Sequence, residues 1–288
     1  MKIILSRKGF DSSSAGGWPS PIFPHGSFCS LPIRSRREHL RMSDIRWRKR
    51  DLGSIVKELT GKQFGGVHLD PDLRRESIPR KPGWLPMFGQ EGPAQKHLEN
   101  ENVCFGDIFL FFGWFRQTKW DKETDTLIYL PKSPKMHVIF GWLQVDRIWK
   151  PSRMTHVPSW AQKHPHIEHA HVHDKRSNTV YVAPPWLHLP GLRKKMRGGG
   201  VFRKQVEALR LTADGEKRCS FWRLPKWFYP SRGRPPLTYH SEKGRWGKPD
   251  SKWVMLETVR RGQEFVLDCD YYPEAIGWLK DIFANVRA

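Results

Sequence analysis

Two segments in the middle of the chain concentrate its apolar positions. Phe105 to Arg116 reads FGDIFLFFGWFR, and His137 to Trp149 reads HVIFGWLQVDRIW. Both predict β-strands, because Phe, Ile, Val and Trp dominate them and turn residues bound them. Gly106-Asp107 marks the turn into the first. Each carries an interior glycine before a tryptophan, at Gly113-Trp114 and Gly141-Trp142. Glycine inside a strand predicts a bulge, a barrel corner or close approach of another backbone or ligand. Bulky aromatics at such bends can build a base-sized pocket.

The remaining pattern is more broken. Lys2 to Leu5 predicts a first strand, and NTVYVA (Asn178 to Ala183) and EFVLD (Glu264 to Asp268) predict two more. Residues 36–61 form the best early helical region, with Asp44 and Asp51 as caps and Gly61 as the stop. A last helix opens at Pro273 and repeats Ile276, Leu279, Ile282 and Phe283 at helical spacing. The Ser-, Gly- and Pro-rich stretch after the first strand holds Trp18, Ile22, Phe23 and Phe28, so it predicts an ordered loop on the core. Pro79 to Pro93 reads as a connection, and Gly191 to Lys204 as a basic, glycine-rich turn. Strands outnumber helices and show no βαβ rhythm. The expectation is one domain over residues 1–288, of α+β class, with a mainly antiparallel, barrel-like sheet and a few flanking helices.

Charge adds a partner to this picture. Lys and Arg number 50 against 29 acidic residues, a net charge of +21. Such an excess favours nucleic acid or an anionic surface, and does not by itself separate DNA from RNA. The four cysteines, Cys29, Cys104, Cys219 and Cys269, lie far apart with no CxxC, which fits a reducing compartment. The first apolar run is too short for a signal peptide or a membrane span, so a cytoplasmic protein is expected.

Several of these pieces together resemble a known family. SRKGFDSS (Ser6 to Ser13), the PSPI loop (Pro19 to Ile22), HLDPDL (His68 to Leu73), GDIFLFFGWFR, GWLQV and NTVYVA look like the third group of nucleotide modification associated domains. The resemblance runs from the first strand to the final helix. It implies a link to modified bases in DNA, as in restriction or anti-restriction systems, and leaves the reaction open. The strand region 103–149 alone is similar to the PUA, ASCH and EVE barrels, through Gly106-Asp107 and Phe140 to Val145. That similarity implies binding of nucleic acid at a flipped or modified base.

Candidate chemistry sits in four places. Ser6, Arg7, Lys8 and Asp11 put a hydroxyl, two cations and a carboxylate at the end of the first strand, with Gly9 able to admit a phosphate. The alternative there is a strand end with Lys8 in solvent and Asp11 capping a turn. In HLDPDL, His68 and Asp70 form a His-x-Asp pair that can ligate iron or another divalent metal when a distant histidine such as His137 completes it. Asp-Pro-Asp is also an ordinary turn sequence, and the turn is the simpler reading. HPHIEHAHVHD places five histidines between His164 and His173, which could bind zinc or nickel. Its loose spacing and proline read instead as an exposed surface tract, so no metal ligand set or cofactor is assigned. Asp107, Trp114, Arg116, Trp142, Arg218 and Trp222 complete a candidate base- and phosphate-binding surface, since aromatics interleaved with cations suit single-stranded or flipped bases.

No Gly-x-Ser-x-Gly elbow, Rossmann fingerprint, HExxH or deaminase motif is present, which removes the common hydrolase, dehydrogenase and deaminase readings. The leading expectation is a DNA-binding protein of a base-modification system. Arg7, Lys8 and Arg116 would hold phosphate, and Trp114, Trp142 and Trp222 the base. The alternatives are a metal-assisted enzyme using Lys8, Asp11, His68, Asp70 and His137, and an RNA-binding accessory factor.

Overall fold

The computed structural model describes residues 1–10, 17–174, 176–259 and 264–285. The chain begins with β1 (Lys2–Arg7) and β2 (Ser20–Ile22). Four two-residue strands follow: β3 (Ile33–Arg34), β4 (Arg46–Trp47), β5 (Arg50–Asp51) and β6 (Val67–His68). Helix α1 (Leu52–Thr60) lies between the last two. Next come β7 (Met87–Gln90) and α2 (Gly92–Asn100). The aromatic region forms β8 (Ile108–Trp120), β9 (Leu127–Tyr129), β10 (Met136–Gln144) and β11 (Arg147–Trp149). A four-residue helix α3 (Pro165–Glu168) precedes β12 (Thr179–Val182) and β13 (Gly199–Val201). The chain closes with β14 (Phe221–Pro225), β15 (Trp253–Glu257), β16 (Glu264–Asp268) and α4 (Glu274–Asn285).

The two aromatic segments pair with each other at the centre of a seven-stranded sheet, in the order β13-β10-β8-β1-β16 with β2 and β9 also on β8. Most of its pairings are antiparallel; β1 and β2 run parallel to β8. The fold is therefore mixed α+β with mostly antiparallel sheets, as expected. The order has two ends, and among the described residues no sheet closes into a barrel. The 103–149 region also does not stay in one sheet. β11 leaves it to pair with β12, which joins β7 in a separate three-stranded sheet.

Both strand glycines have a physical reason. A Cβ on Gly113 would lie 2.5 Å from the Lys8 carbonyl oxygen, so the close β1–β8 approach excludes any side chain there. At Gly141 the β8–β10 register shifts by a bulge, and a Cβ would meet Leu73 Cδ1 at 2.6 Å and the Gly200 carbonyl oxygen at 2.8 Å. All nine residues of β10 are buried, so both faces of the sheet are covered. Each fully buried Phe or Leu in such a layer contributes about 1.5–3 kcal/mol.

Helix α1 follows its sequence signals closely. Asp51 accepts a hydrogen bond from the Ser54 N–H at 2.8 Å, and Gly61 ends the helix at φ 68°. The helical expectation over 36–61 holds only for this second half; Arg46 to Asp51 forms a tight hairpin in which Arg48 takes φ 55°. Among the described residues no helix is long and apolar enough to cross a membrane.

Candidate metal centre

HLDPDL is tied down by a neighbour the sequence hid. Asp72 and Met87 exchange backbone hydrogen bonds of 2.9 and 3.0 Å, laying the segment antiparallel to β7. Asp72 itself is spent on structure: its carboxylate is buried in a two-pronged pair with Arg80, whose guanidinium lies 4.5 Å over Trp84. With that register set, the Gly89 N–H reaches Asp70 Oδ1 at 2.7 Å. β12 pairs with the other edge of β7 and starts just after Asn178, while α3 packs nearby.

Asn178 grips the histidine tract. His166 Nδ1–H donates to Asn178 Oδ1 at 2.7 Å, and Asn178 Nδ2 donates to the His166 carbonyl at 2.9 Å. This fixes the ring and leaves Nε2 as a lone-pair donor. Gly89 makes room for it: a Cβ there would stand 2.2 Å from His166 Cδ2. His68 is fixed the same way. Its Nδ1–H donates to Glu38 Oε1 at 3.0 Å. The two rings face each other at 5.1 Å, and one ligand atom each of His68, Asp70 and His166 lies within 4.8 Å of the others.

The surroundings set the charge states of two of the three groups. Burial raises the Asp70 carboxyl, but the facing His164 and the imidazoles of His166 and His68 more than reverse this and bring it to about 2. Burial pushes His166 down to about 3, with Asp70 opposing, so its ring is neutral at pH 7. An ionised Asp70 carboxylate and a neutral His166 imidazole are ligand states that suit a divalent metal. His164 is fully buried, with Nε2 3.3 Å from Asp70 Oδ1, and neither ring nitrogen has a formed hydrogen bond among the described residues. His173 stacks on His166 at 4.3 Å, and its Nδ1 stands 3.1 Å from Glu91 Oε2. Glu38 also reaches His169 at 3.0 Å, and these two group with Glu168 as a further possible ligand cluster.

The histidine tract is thus only in part the exposed surface loop expected, since His171 and Val172 are exposed and its first histidines are not. His164 and His166 are buried, and His166 supplies the distant histidine for His-x-Asp. His137 does not. It is a core residue whose Nδ1 accepts from Trp222 Nε1–H at 2.8 Å, and burial with the Arg7 charge holds it well below the usual imidazole range.

The remaining expected site residues scatter. Lys8 is not in solvent: its ammonium meets Glu264 Oε1 at 2.8 Å and lies 4.6 Å from the Phe88 ring, while Gln90 Nε2 donates to the same oxygen at 2.5 Å. Ser6 is buried in β1, with no partner for Oγ among the described residues. Gly9, at φ 110°, lines a cavity with Asp70. Asp11 lies outside the described residues. Asp107 clamps a turn, accepting from the Lys2 and Cys104 N–H groups at 2.7 and 2.9 Å. Arg116 binds Ser133 Oγ and the Leu130 carbonyl, and covers Tyr129. Arg218 is exposed, stacked on Phe221 and paired with Glu257 at 3.3 Å.

Trp142 and Trp222 offer no face to a base. Both are at most 1% exposed, Trp142 against Phe202 and Phe283, and Trp222 against Phe112 and His137. Trp114 alone of the three is half-buried, with Arg7 5.4 Å and Lys135 4.6 Å from its ring centre. The expected aromatic pocket is therefore not assembled. Sequence reading missed Glu38, Gly89 and Asn178, and set His164 and His166 aside as part of a surface tract. The local signals for the centre were the His-x-Asp pair of HLDPDL and the density of histidines from His164 to His173.

No curated protein and no solved structure matches the chain. A family model described as nucleotide modification associated domain 3 does, over residues 2–268. That span takes in β1, HLDPDL, β7, the histidine tract and β16, and so every residue of the candidate centre. The chain belongs to the nucleotide modification associated domain 3 family.

Proposed function

We propose that this protein is a metal-dependent enzyme acting on a base or nucleotide, with His68, Asp70 and His166 as the metal ligands. One observation carries the reading: two imidazoles and one carboxylate, contributed by two segments far apart in the sequence, converge with each ligand's other polar atoms already satisfied by Glu38, Asn178 and Gly89. Three ligands leave coordination positions open, as catalytic rather than structural sites do. The family's description, nucleotide modification associated domain 3, supports a nucleotide or its base as the substrate class.

The chain's own residues have clear tasks in this reading. Glu38 and Asn178 hold the two rings in the tautomer that presents Nε2. Gly89 N–H holds Asp70, and His164 Nε2 faces it at 3.3 Å. A metal bound there would supply a Lewis acid or an activated oxygen ligand. Elemental analysis of the protein reconstituted with Fe(II) or Zn(II) tests it, together with mass spectrometry of nucleosides from oligonucleotides incubated with the loaded protein. About one ion per chain is expected, lost in His68→Ala, Asp70→Ala and His166→Ala. Retention of the ion in all three would sink the reading. A nucleic-acid-binding role without chemistry is the second reading; it draws on the net charge of +21 and the exposed cations rather than on the buried tryptophans.

A further inference from the structure

The inner side of the centre has no room for a substrate. The cavity against Asp70 holds about 50 Å³, lined by Gly9, Leu31, Phe140 and Phe202 among others. That is space for water and not for a base. The outer side differs. Glu38, which fixes His68, and His39, whose ring lies 6.1 Å from that of His169, border an open groove of about 890 Å³.

The groove is lined by cations. Arg41, Arg46 and Lys57 line it, and a second opening of about 590 Å³, sharing Gly65 and Gly66, adds Arg34 and Arg36. All five are exposed. None makes an ion pair with a carboxylate among the described residues, whereas Arg210, Arg223, Arg234 and Arg245 each do. The groove's own carboxylates are already engaged, Glu38 by His68 and His169, and Asp51 by Ser54 and by the charge of Arg46 opposite it. Cations in excess of the carboxylates around a groove attract a polyanion. Arg34 holds Phe64 beneath it at 4.7 Å, so an aromatic ring also stands in the wall. Gly66 joins the floor to the centre: a Cβ there would lie 2.4 Å from the Glu38 carbonyl oxygen.

We propose that this groove binds the phosphate of a nucleotide substrate and presents its base to the His68–Asp70–His166 centre. The inference rests on that centre being the reaction site. The phosphate can belong to a nucleic-acid strand or to a free nucleotide, since the recognising chemistry is the same.

The test compares two triple variants of equal charge. Arg36→Ala, Arg41→Ala and Arg46→Ala together remove three groove cations. Arg193→Ala, Lys195→Ala and Arg197→Ala together remove three exposed cations elsewhere. Binding of a labelled single-stranded DNA oligonucleotide is followed by fluorescence anisotropy from low to moderate salt, and metal content is measured on the same samples. The groove triple should bind at least about tenfold more weakly near 0.1 M salt and show a log–log salt slope smaller by about 2, with its metal content unchanged. The control triple should bind nearly as wild type does. Competition by an unlabelled nucleoside 5′-monophosphate at similar concentration identifies a free nucleotide as the source of the phosphate, and its failure to compete identifies the strand. The inference is overturned if the groove triple binds like wild type, or if the control triple loses as much. Oligonucleotide binding that depends on the groove in a protein retaining no metal would instead overturn the centre and leave the groove standing.

Discussion

Lys8 shows how far a residue's role depends on what folds over it. In the sequence it follows a strand and precedes a glycine, a place where a lysine normally reaches solvent. β16 and β7 instead close over it, and its ammonium is 6% exposed beside Glu264, which is 1% exposed. Removing one partner of a buried pair leaves the other charge uncompensated. Lys8→Ala should therefore cost about 3–5 kcal/mol in urea unfolding, as breaking buried pairs does. A variant that melts like wild type would mean the ammonium is solvated. Gly89 carries the opposite kind of expectation. Its neighbour is the ring of His166, the proposed metal ligand, so Gly89→Ala should push that ring aside and weaken metal binding about 10–100-fold, the usual effect of disturbing a ligand's support. Metal titration monitored against thermal melts separates this from simple unfolding. His-x-Asp was legible because its spacing is local. Which histidine completes it was not, because that is decided by the pairing of β7 with the distant β12 and by the grip of Asn178 on His166.

The elements with strong local signals were the ones the sequence revealed. β8, β10, β16 and α4 announce themselves by long apolar runs or clear helical spacing, and α1 by its aspartate cap and glycine stop. β7 did not. It is four residues long and lies inside a proline-rich stretch, so no period could emerge; only its pairing with β12 and Asp72 makes it a strand. The aromatic strands were recognised as elements but misread in orientation. A strand's alternation cannot say which face is covered when helices and loops pack on both sides. Trp142 accordingly points into the core and donates its Nε1–H to the Arg197 carbonyl at 3.1 Å, anchoring the basic turn rather than a base. Trp142→Ala should cost about 3–5 kcal/mol, as large aromatic truncations in cores do. Chemical denaturation measures that cost. Weakened oligonucleotide binding with unchanged stability would restore the stacking role.

At the scale of the whole molecule, composition announced a polyanionic partner but not where it docks. The excess of cations becomes specific only when the fold leaves some of them unpaired around one groove and pairs others elsewhere. Buried neutral histidines add a second global property. His240 is fully buried, its Nδ1–H donating to the Thr238 carbonyl at 2.8 Å, and burial lowers it to about 4. His137 is held down by burial and by Arg7. Both take up a proton more readily in the unfolded chain, whose imidazoles titrate near the ordinary value of about 6.5. Protons therefore favour unfolding as pH falls below that value, and stability is lost between about pH 6.5 and 4, on the order of 3 kcal/mol from His240. Above pH 7 neither group titrates and this contribution should be flat. Urea midpoints measured across pH 4 to 8 should fall on the acid side, and His240→Gln should flatten that fall without shifting the alkaline plateau's slope. A His240→Gln variant whose acid sensitivity matches wild type would show that this imidazole is protonated in the folded protein as readily as in the unfolded chain.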